Sequence, residues 1–286
     1  MLTISSPTEI TRISQEAHRA GKSVGLVPTM GALHQGHISL VQAARPQCDV
    51  VVVSVFVNPT QFGPTEDFAT YPRNLDADSR LLDAEKTDCL FSPSLDDMYP
   101  SGASTWVTVE GLSEKLDGRS RPGHFRGVTT VVAKLFHIVQ PDVAFFGQKD
   151  AAQAAVIRKM VRDLDFCVRV VLCPIVREPD GLAMSSRNAY LDSIQRQEAT
   201  VLHRALLRVA RLAHQGENRA VQLVAAGKQA IAEEPSVRLD YFAIVDQDTL
   251  DPVAETSRGA LVAVAAYVGT TRLIDNILLP QRPRVT

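Results

Sequence analysis

The sequence has few cysteines and no pattern that would pair them. Cys48, Cys89, Cys167 and Cys173 form no C-x-x-C motif and have no metal-ligand spacing. Each lies in or beside an apolar run, where a free thiol behaves as a small hydrophobic side chain. We therefore expect no disulfide framework, which is typical of a reducing compartment.

Excess charge and long apolar runs are also scarce. A formal net charge of −2 over 286 residues, with one tryptophan and five tyrosines, argues against a nucleic-acid partner. No apolar stretch approaches the roughly 20 residues of a membrane span. The first residues lack the basic and apolar regions of a signal peptide. These absences predict a soluble, cytoplasmic protein without nucleic-acid or membrane partners.

Alternating strand and helix patterns fill the first two-thirds of the chain. Several strands are continuously apolar, as buried parallel strands are. This order predicts an α/β fold, a Rossmann-like doubly wound parallel sheet with helices on both faces. The predicted strands span residues 23–27, 48–58, 88–93, 105–111, 142–147 and 166–176, and the helices about 37–44, 75–84, 127–139 and 150–164.

The pattern changes after about residue 177. Pro179, Asp180 and Gly181 supply turn chemistry and would allow a hinge. Two helices, at 193–214 and 219–232, precede three strands at 239–245, 259–269 and 271–279. We therefore predict a smaller α+β C-terminal domain at 185–286, after a first, Rossmann-like domain at 1–178.

The loop "PTMGALHQGH", residues 28–37, follows the first predicted strand. Gly31 and Gly36 have P-loop spacing, but the Lys and Ser/Thr of that motif are missing. A helix start offers unpaired N–H groups that attract phosphate. His34 and His37 lie on one side of that start and could donate to phosphate oxygens. Alternatively, they are only polar turn and helix-start residues.

Two more polar clusters follow predicted strands. Asn58 and Gln61 are neutral amides suited to hydroxyls and carboxylates, or else they cap a turn. In "FGQKD", Gly147 permits close approach, and Lys149 offers a point charge for phosphate unless it is a solvated surface lysine. Asp150 could cap the next helix or bind ribose. Ligands in such sheets bind beyond the carboxyl ends of the strands.

Five segments occur in the order seen in one known family. They are "VPTMGALHQGH", "VFVNPTQFGPTEDFATYPR", "RPGHFRGVTTVVAKLF", "FGQKDAAQ" and "DGLAMSSRNAYL". H-x-G-H with a later "MSSRN" resembles the HIGH-type nucleotidyltransferase superfamily. Within it, the chain from about Val24 onward resembles the pantothenate synthetase (pantoate–β-alanine ligase) family.

The resemblance implies an ATP-dependent condensation of pantoate with β-alanine to pantothenate, with release of AMP and pyrophosphate. It also implies a pantoyl-adenylate intermediate, a need for Mg²⁺ and a homodimer formed through the N-terminal domain. The domain at 1–178 would then bind ATP and pantoate, and the domain at 185–286 would be a lid. In such a reaction the protein supplies mainly positioning and charge stabilisation.

The resemblance also implies roles for single residues. Catalytic roles fall to His34, His37 and Lys149. ATP-binding roles fall to Met30, Gly31, Ala32, Leu33, His34, Gln35, Gly36, His37, Gly147, Gln148, Lys149, Asp150, Val176, Met184, Ser185, Ser186 and Arg187. Substrate-binding roles fall to Asn58, Gln61 and Gln153. Without the resemblance, residues 184–187 would be interpreted as a linker with a helix-capping serine.

Some features depart from the family pattern or have no assigned role. Gln35 stands where a glutamate is expected, and Ala151-Ala152 replaces a bulkier, more polar pair. His124 is either at an active-site rim or in a turn before the helix at Gly127. Asp76 and Asp78 are candidates for a carboxylate contact to the metal, although a solvated helix start is the preferred interpretation, and we assign no metal ligand.

Two other functions are open on the sequence. One is a nucleotidyltransferase that moves AMP or CMP onto a phosphorylated acceptor, but the neutral Asn58, Gln61 and Gln153 argue against it. The other is a non-catalytic nucleotide-binding or assembly protein. Loss of a histidine or of Lys149 would favour that interpretation, and all three are present.

Overall fold

The computed structural model describes residues 1–64 and 66–281. The chain divides into two compact units. The first comprises Met1–Glu114, Arg121–Gly147 and Val156–Pro174; the second comprises Lys115–Ser120, Gln148–Ala155 and Ile175–Thr286. The domain boundaries expected from the sequence, 1–178 and 185–286, stay a prediction.

The regular elements of the first two-thirds alternate as expected. The strands are β1 (Leu2–Ile4), β2 (Val24–Thr29), β3 (Val50–Val55), β4 (Cys89–Phe91), β5 (Val143–Gly147) and β6 (Arg169–Cys173). The α-helices are α1 (Pro7–Arg19), α2 (Gln35–Ala44), α3 (Leu75–Ala84), α4 (Leu95–Met98), α5 (Asp117–Ser120), α6 (His124–Val139) and α7 (Ala151–Asp163). Short 3₁₀ turns span Pro59–Gln61, Leu112–Glu114 and Gln148–Asp150.

The six strands form one parallel sheet in the order β1-β4-β3-β2-β5-β6. This confirms the predicted sheet. The central strands are buried on both faces, which explains their uninterrupted valines: Val51, Val52 and Val53 are fully buried. From β2 the chain adds β3 and then β4 on one side, and from β5 it adds β6 on the other side. The strand order therefore reverses between the neighbours β2 and β5.

A three-stranded antiparallel sheet, in the order β7-β8-β9, organises the second unit. Its strands are β7 (Val237–Val245), β8 (Arg258–Val268) and β9 (Thr271–Gln281). The helices α9 (Val201–His214) and α10 (Ala220–Ala232) share one apolar core with these strands. A 3₁₀ turn at Ser186–Tyr190 and helix α8 (Ser193–Glu198) precede them. The predicted α+β character is thereby confirmed.

Three sequence-based predictions of secondary structure were wrong. β1 and α1 precede the strand that we took as the first. Residues 105–111 form no strand. The Val107 N–H donates to Thr130 Oγ1 at 3.0 Å, and the Val107 carbonyl accepts from Thr129 Oγ1 at 2.6 Å. Side chains of helix α6 therefore bind the main-chain groups that a neighbouring strand would otherwise bind. The helix predicted at 193–214 is two helices, because the N–H groups of Thr200 and Leu202 bond to carbonyls three residues back.

Among the helices within residues 1–64 and 66–281, none combines the length and apolar character that crossing a bilayer requires.

Candidate active site

The reversal of strand order marks where a ligand site is expected in an open parallel sheet. β2 and β5 pair directly, with Gly25 opposite Val143 and Leu26 opposite Ala144. β2 leads into the H-x-G-H loop, and β5 ends at Gly147 and leads into Gln148–Asp150. Two of the predicted nucleotide-binding segments therefore begin at neighbouring strands.

A buried carboxylate holds the loop after β2. The N–H groups of Ala32 and Leu33 donate to Oδ2 and Oδ1 of Asp78 at 3.1 and 2.8 Å. The loop can turn back because Gly31 has φ +82° and Ala32 has φ +51°. A Cβ on Gly31 would lie 2.9 Å from Asp78 Oδ2, so glycine permits the close approach as well as the backbone angle.

Asp78 corrects one expectation from the sequence. It lies on α3 but is 3% exposed, so the solvated helix start is wrong for Asp78, whereas Asp76 is exposed. Burial raises the pKa of Asp78, and the two N–H groups from the loop partly oppose that shift. Its carboxylate binds the loop, and no metal is needed to explain its position.

Several N–H groups of the loop have partners within the protein. Besides the two bonds to Asp78, the Gly31 N–H donates to Thr29 Oγ1 at 3.2 Å, and the Gly36 N–H donates to His34 Nδ1 at 3.1 Å. The His34 N–H donates to His37 Nδ1 at 3.4 Å. Side-chain donors would therefore have to supplement the main-chain N–H groups in any contact to phosphate from this loop.

The two histidines form a reciprocal cap at the start of α2. Their ring centroids are 4.1 Å apart, and each Nδ1 accepts a main-chain N–H. A ring nitrogen that accepts cannot carry the proton, so in the neutral rings the proton lies on Nε2. The main-chain bonds thus fix the tautomer that makes each Nε2–H a donor, as phosphate recognition requires.

Asn58 and Gln61 form one amide pair in the turn after β3. Both are buried, with Asn58 1% exposed. Asn58 Nδ2 donates to Gln61 Oε1 and to the Gly127 carbonyl, each at 3.1 Å, while its Oδ1 accepts from the N–H and hydroxyl of Thr60. Gln61 Nε2 lies 2.8 Å from Met30 Sδ. The contacts of Asn58 orient Gln61.

His124 and Arg121 support the same turn. His124, the first residue of α6, places Nδ1 2.8 Å from the Gln61 carbonyl, and Arg121 lies 3.0 Å from His124 Nε2. Arg121 also forms a bidentate pair with Glu66 at 2.6 and 2.7 Å. Burial alone would raise the pKa of Glu66, but the bonds to Arg121 outweigh it and lower that pKa. His124 thus starts the helix and also contacts the main chain of Gln61.

The segment after β5 is held by an asparagine from a distant strand. Asn276 of β9 donates from Nδ2 to the carbonyls of Gln148 and Lys149, at 3.0 and 2.9 Å, and accepts from Gln148 Nε2 at 3.0 Å. Lys149 Nζ lies 3.8 Å from Asp150 Oδ1, and both side chains are partly exposed. Gln153, one turn further along α7, is half-buried beside the buried Ala152.

Residues 176–184 form a tight hairpin in the second unit. Val176 and Met184, predicted to flank adenine, pair across it, with the Met184 N–H donating to the Val176 carbonyl at 3.0 Å. Arg177 forms a bidentate ion pair with Asp275 at 2.7 and 3.0 Å. The Pro179–Gly181 turn, whose composition would allow a hinge, lies inside this hairpin.

The serines and arginine that follow the hairpin lie in and beside a 3₁₀ turn. Ser185 Oγ accepts the Arg187 N–H at 3.2 Å and caps the turn Ser186–Tyr190. Asn188 Nδ2 ties this turn back to the Ala183 carbonyl at 3.1 Å. The capping serine foreseen in a linker interpretation is therefore present, and it leaves the predicted phosphate-binding role untested.

Sequence reasoning missed the residues that hold the site: Asp78 as a loop anchor, Arg121 with Glu66, and Asp275 with Asn276. A signal existed for the last pair, since "TRLIDNILL" carries two adjacent polar residues inside an apolar strand. Among residues 1–64 and 66–281, no group of three or more His, Cys, Asp or Glu side chains is arranged to hold a metal.

Comparisons with known proteins agree with this architecture. The family model described as Pantoate-beta-alanine ligase matches residues 2–278. The pantothenate synthetase of Koribacter versatilis is 63% identical over 98% of this chain and 96% of its own length. A crystal structure of pantothenate synthetase from Thermus thermophilus has a TM-score of 0.92 at 48% identity, covering 97% of this chain and 99% of that one.

A second solved structure carries ligands. It is the pantoate-beta-alanine ligase from Francisella tularensis complexed with Beta-gamma ATP and Beta-alanine, with a TM-score of 0.80 at 33% identity, covering 97% of both chains. Fold and relatives together define the class: the chain is a ligase built on a parallel six-stranded sheet with a small antiparallel sheet near its C-terminus. It belongs to the pantoate–β-alanine ligase family.

Proposed function

We propose that this chain condenses pantoate with β-alanine in two steps that consume ATP. In the first, a pantoate carboxylate oxygen bonds to the α-phosphorus of ATP, the bond from that phosphorus to the bridging oxygen breaks, and pyrophosphate leaves. In the second, the β-alanine nitrogen bonds to the acyl carbon of pantoyl adenylate, the acyl carbon–oxygen bond breaks, and AMP leaves while the nitrogen loses a proton.

The observation that carries the proposal is the fixed tautomer of the histidine pair. His34 and His37 each accept a main-chain N–H at Nδ1, so their Nε2–H groups are donors beside the reversal of strand order. Donors held in place before reaction stabilise charge that develops on a phosphoryl group at no cost of reorganisation. Neither histidine has to act as a nucleophile.

Neutral amides are suited to pantoate, which carries hydroxyls and one carboxylate. Gln61 is held by Asn58 and lies near Met30, and Gln153 lies one turn after Asp150. We propose that Gln61 and Gln153 contact pantoate, that Gln61 also contacts β-alanine, and that Asn58 serves the site by orienting Gln61. A phosphorylated acceptor would be better matched by arginines in these positions.

Each unit carries residues to which we assign nucleotide contacts. In the first, these are the loop from Met30 to His37 and Gly147. In the second, we propose that Lys149 contacts phosphate as a point charge and that Val176 and Met184 flank adenine. Ser185, Ser186 and Arg187 would add hydroxyl and guanidinium donors, with Gln148 and Asp150 beside Lys149.

Mg²⁺ is proposed to accompany ATP, bound chiefly by phosphate oxygens and water, as is usual for this ion. We assign no carboxylate of the chain to the ion, since Asp78 binds two main-chain N–H groups. We also propose a homodimer in the cytoplasm; four cysteines without a disulfide are consistent with that compartment.

The test is isotope exchange of labelled pyrophosphate into ATP, with Mg²⁺ and pantoate present and β-alanine absent. Exchange that requires pantoate, followed by pantothenate formation when β-alanine is added, is the expected result. His37→Ala should abolish most of the exchange, whereas His214→Ala, at the exposed end of α9, should retain it.

Two outcomes would contradict the proposal. Absence of both exchange and pantothenate would leave a nucleotide-binding protein without this activity. Pantothenate formation without exchange, at any pyrophosphate concentration, would argue for a route without a reversible adenylate.

A further inference from the structure

A polar pair interrupts the apolar edge strand β9. Asp275 and Asn276 are 3% and 2% exposed, respectively, and they are consecutive, so their side chains point to opposite faces of the strand. One face packs against α9, where His203 Nδ1 lies 4.0 Å from Asp275. Two buried polar side chains in such a place require partners, because a buried amide or carboxylate without them is costly.

Asn276 uses its whole amide on the segment after β5. Its two N–H bonds go to the carbonyls of Gln148 and Lys149, and its oxygen accepts from the Gln148 side chain. These contacts define the main-chain position of Lys149 from 127 residues away along the chain. An apolar residue would cover the strand edge without defining that position.

Asp275 anchors the hairpin 176–184 in the same way. Its carboxylate binds both terminal nitrogens of Arg177, and Arg177 also donates to the Gly181 carbonyl at 2.9 Å. Arg177 contacts the Asn276 carbonyl at 3.4 Å as well. Asp275 therefore anchors the arm of the hairpin that carries Val176, and the next residue, Asn276, anchors Lys149.

We propose that Asp275 and Asn276 are positioning residues that hold the two nucleotide-contacting segments of the second unit in one fixed relation, with neither touching ATP. The inference rests on the proposed function, since it assigns ATP contacts to Lys149 and to the hairpin. Its physical basis is that a displacement of about 1 Å in a positioned group can cost about a hundredfold in the interaction that it makes.

The decisive variant is Asn276→Asp, which keeps the shape and the oxygen that accepts from Gln148. The other atom becomes an oxygen that faces two carbonyls and repels them. We expect ATP binding, measured by calorimetry with Mg²⁺ and without pantoate, to weaken about tenfold to a hundredfold at pH 8. Lowering the pH should protonate the new carboxyl, restore one donor and recover part of the affinity, which a general loss of structure would not do.

Two further variants and a control distinguish a misplaced ATP-contacting segment from a general loss of stability. Asn276→Ala removes the donors without adding charge and decides the matter if Asn276→Asp does not fold; it should weaken ATP binding and show no recovery at low pH. Asp275→Asn should also weaken ATP binding, because it leaves Arg177 with one good acceptor. Asn218→Asp makes the same chemical change elsewhere in the second unit and should bind ATP as the parent does.

The outcomes distinguish this inference from the function on which it rests. A parent protein that does not bind ATP would sink both. ATP binding that is weakened in Lys149→Ala but unchanged in folded Asn276→Asp or Asn276→Ala would overturn the positioning role of Asn276 and leave the proposed function intact. Unchanged binding in Asp275→Asn would remove Asp275 from the pair.

Discussion

The loop after β2 and the segment after β5 are anchored through opposite main-chain groups. In the first, Asp78 accepts the N–H groups of Ala32 and Leu33. In the second, Asn276 donates to the carbonyls of Gln148 and Lys149. An anchoring acid therefore engages main-chain amide donors that an anion could bind, whereas the anchoring amide engages only carbonyls of the main chain.

This difference explains why the two segments need different side chains. A loop with several N–H groups engaged depends more on side chains for a contact to phosphate, and His34 and His37 are the side chains to which we propose that role. The Gln148–Asp150 turn is anchored through its carbonyls instead, and it adds the charge of Lys149. The comparison predicts that the first segment depends on imidazole geometry and the second on a distant strand.

The largest expected effect comes from variants that replace only one of the two ring nitrogens of His37. His37→Asn keeps an acceptor near Nδ1 for the His34 N–H but removes the Nε2–H, so pyrophosphate exchange should fall by about a hundredfold or more. His37→Gln places an amide donor near Nε2 and should retain more exchange than His37→Asn. Equal exchange in both variants would show that the Nε2–H is not the group that matters.

Asp78→Asn tests the acid that anchors the first loop. Its amide nitrogen would face a main-chain N–H, leaving one buried donor unpaired, so we expect a loss of about 1–3 kcal/mol in the free energy of unfolding. Exchange should fall about tenfold as the histidines lose their alignment. Asp76→Asn, at the exposed position two residues earlier, is the matched control and should change neither quantity.

The pH dependence of that stability loss has a definite sign. Because burial raises the pKa of Asp78, the folded state holds its proton more tightly than the unfolded state. The contribution of Asp78 to the free energy of unfolding is complete below its ordinary pKa of about 3.9. It is lost as the pH rises through the raised pKa of the folded state. The stability difference between parent and Asp78→Asn should therefore shrink as pH rises, measured by urea unfolding; a difference that grew instead would contradict this account.

Gly127→Ala tests how far the first unit depends on close packing at the Gln61 turn. A Cβ on Gly127 would lie 2.4 Å from the Thr60 carbonyl oxygen and 2.6 Å from the Gln61 nitrogen, and backbone there cannot move without displacing Gln61. We expect a KM for pantoate raised severalfold, with a stability loss of about 1–3 kcal/mol.

The control for that variant is Ala133→Gly, in the same helix. It should cost about 1 kcal/mol of helix stability while leaving KM unchanged, because it does not touch the turn. A raised KM in Ala133→Gly would mean that stability alone sets pantoate binding.

Local patterns in the sequence predicted five of the six strands of the parallel sheet, most helices and the H-x-G-H loop, because these depend on neighbours a few residues apart. The anchors could not be predicted in this way. Asp78 is 45 and 46 residues from the groups that it binds, and Asn276 is 127 and 128 residues from its partners. Which buried polar residue meets which main-chain group is decided by tertiary packing.

The same limit explains the errors. "TWVTVEG" alternates like a strand, but the hydroxyls of Thr129 and Thr130 on α6 supply the partners of Val107. β1 is short and lies at the edge of the sheet, so its three residues leave little pattern. The catalytic and binding roles assigned to single residues stay predictions, since they concern ligands.

The smallest effect should appear at Asp180, in the turn of the hairpin. Arg196 lowers the pKa of Asp180, with a side-chain bond of 2.7 Å, which is the opposite direction to Asp78. The contribution of Asp180 to the free energy of unfolding is present above its ordinary pKa. It is lost as the pH falls through the lowered pKa of the folded state. Because 46% of the Asp180 side chain is exposed, Asp180→Asn should cost at most about 1 kcal/mol at pH 7 and nothing near pH 2. Glu255→Gln, which removes one exposed charge from the same unit, sets the baseline for urea unfolding. If Asp180→Asn cost more at low pH than at neutral pH, the ion pair with Arg196 would not be what stabilises the turn.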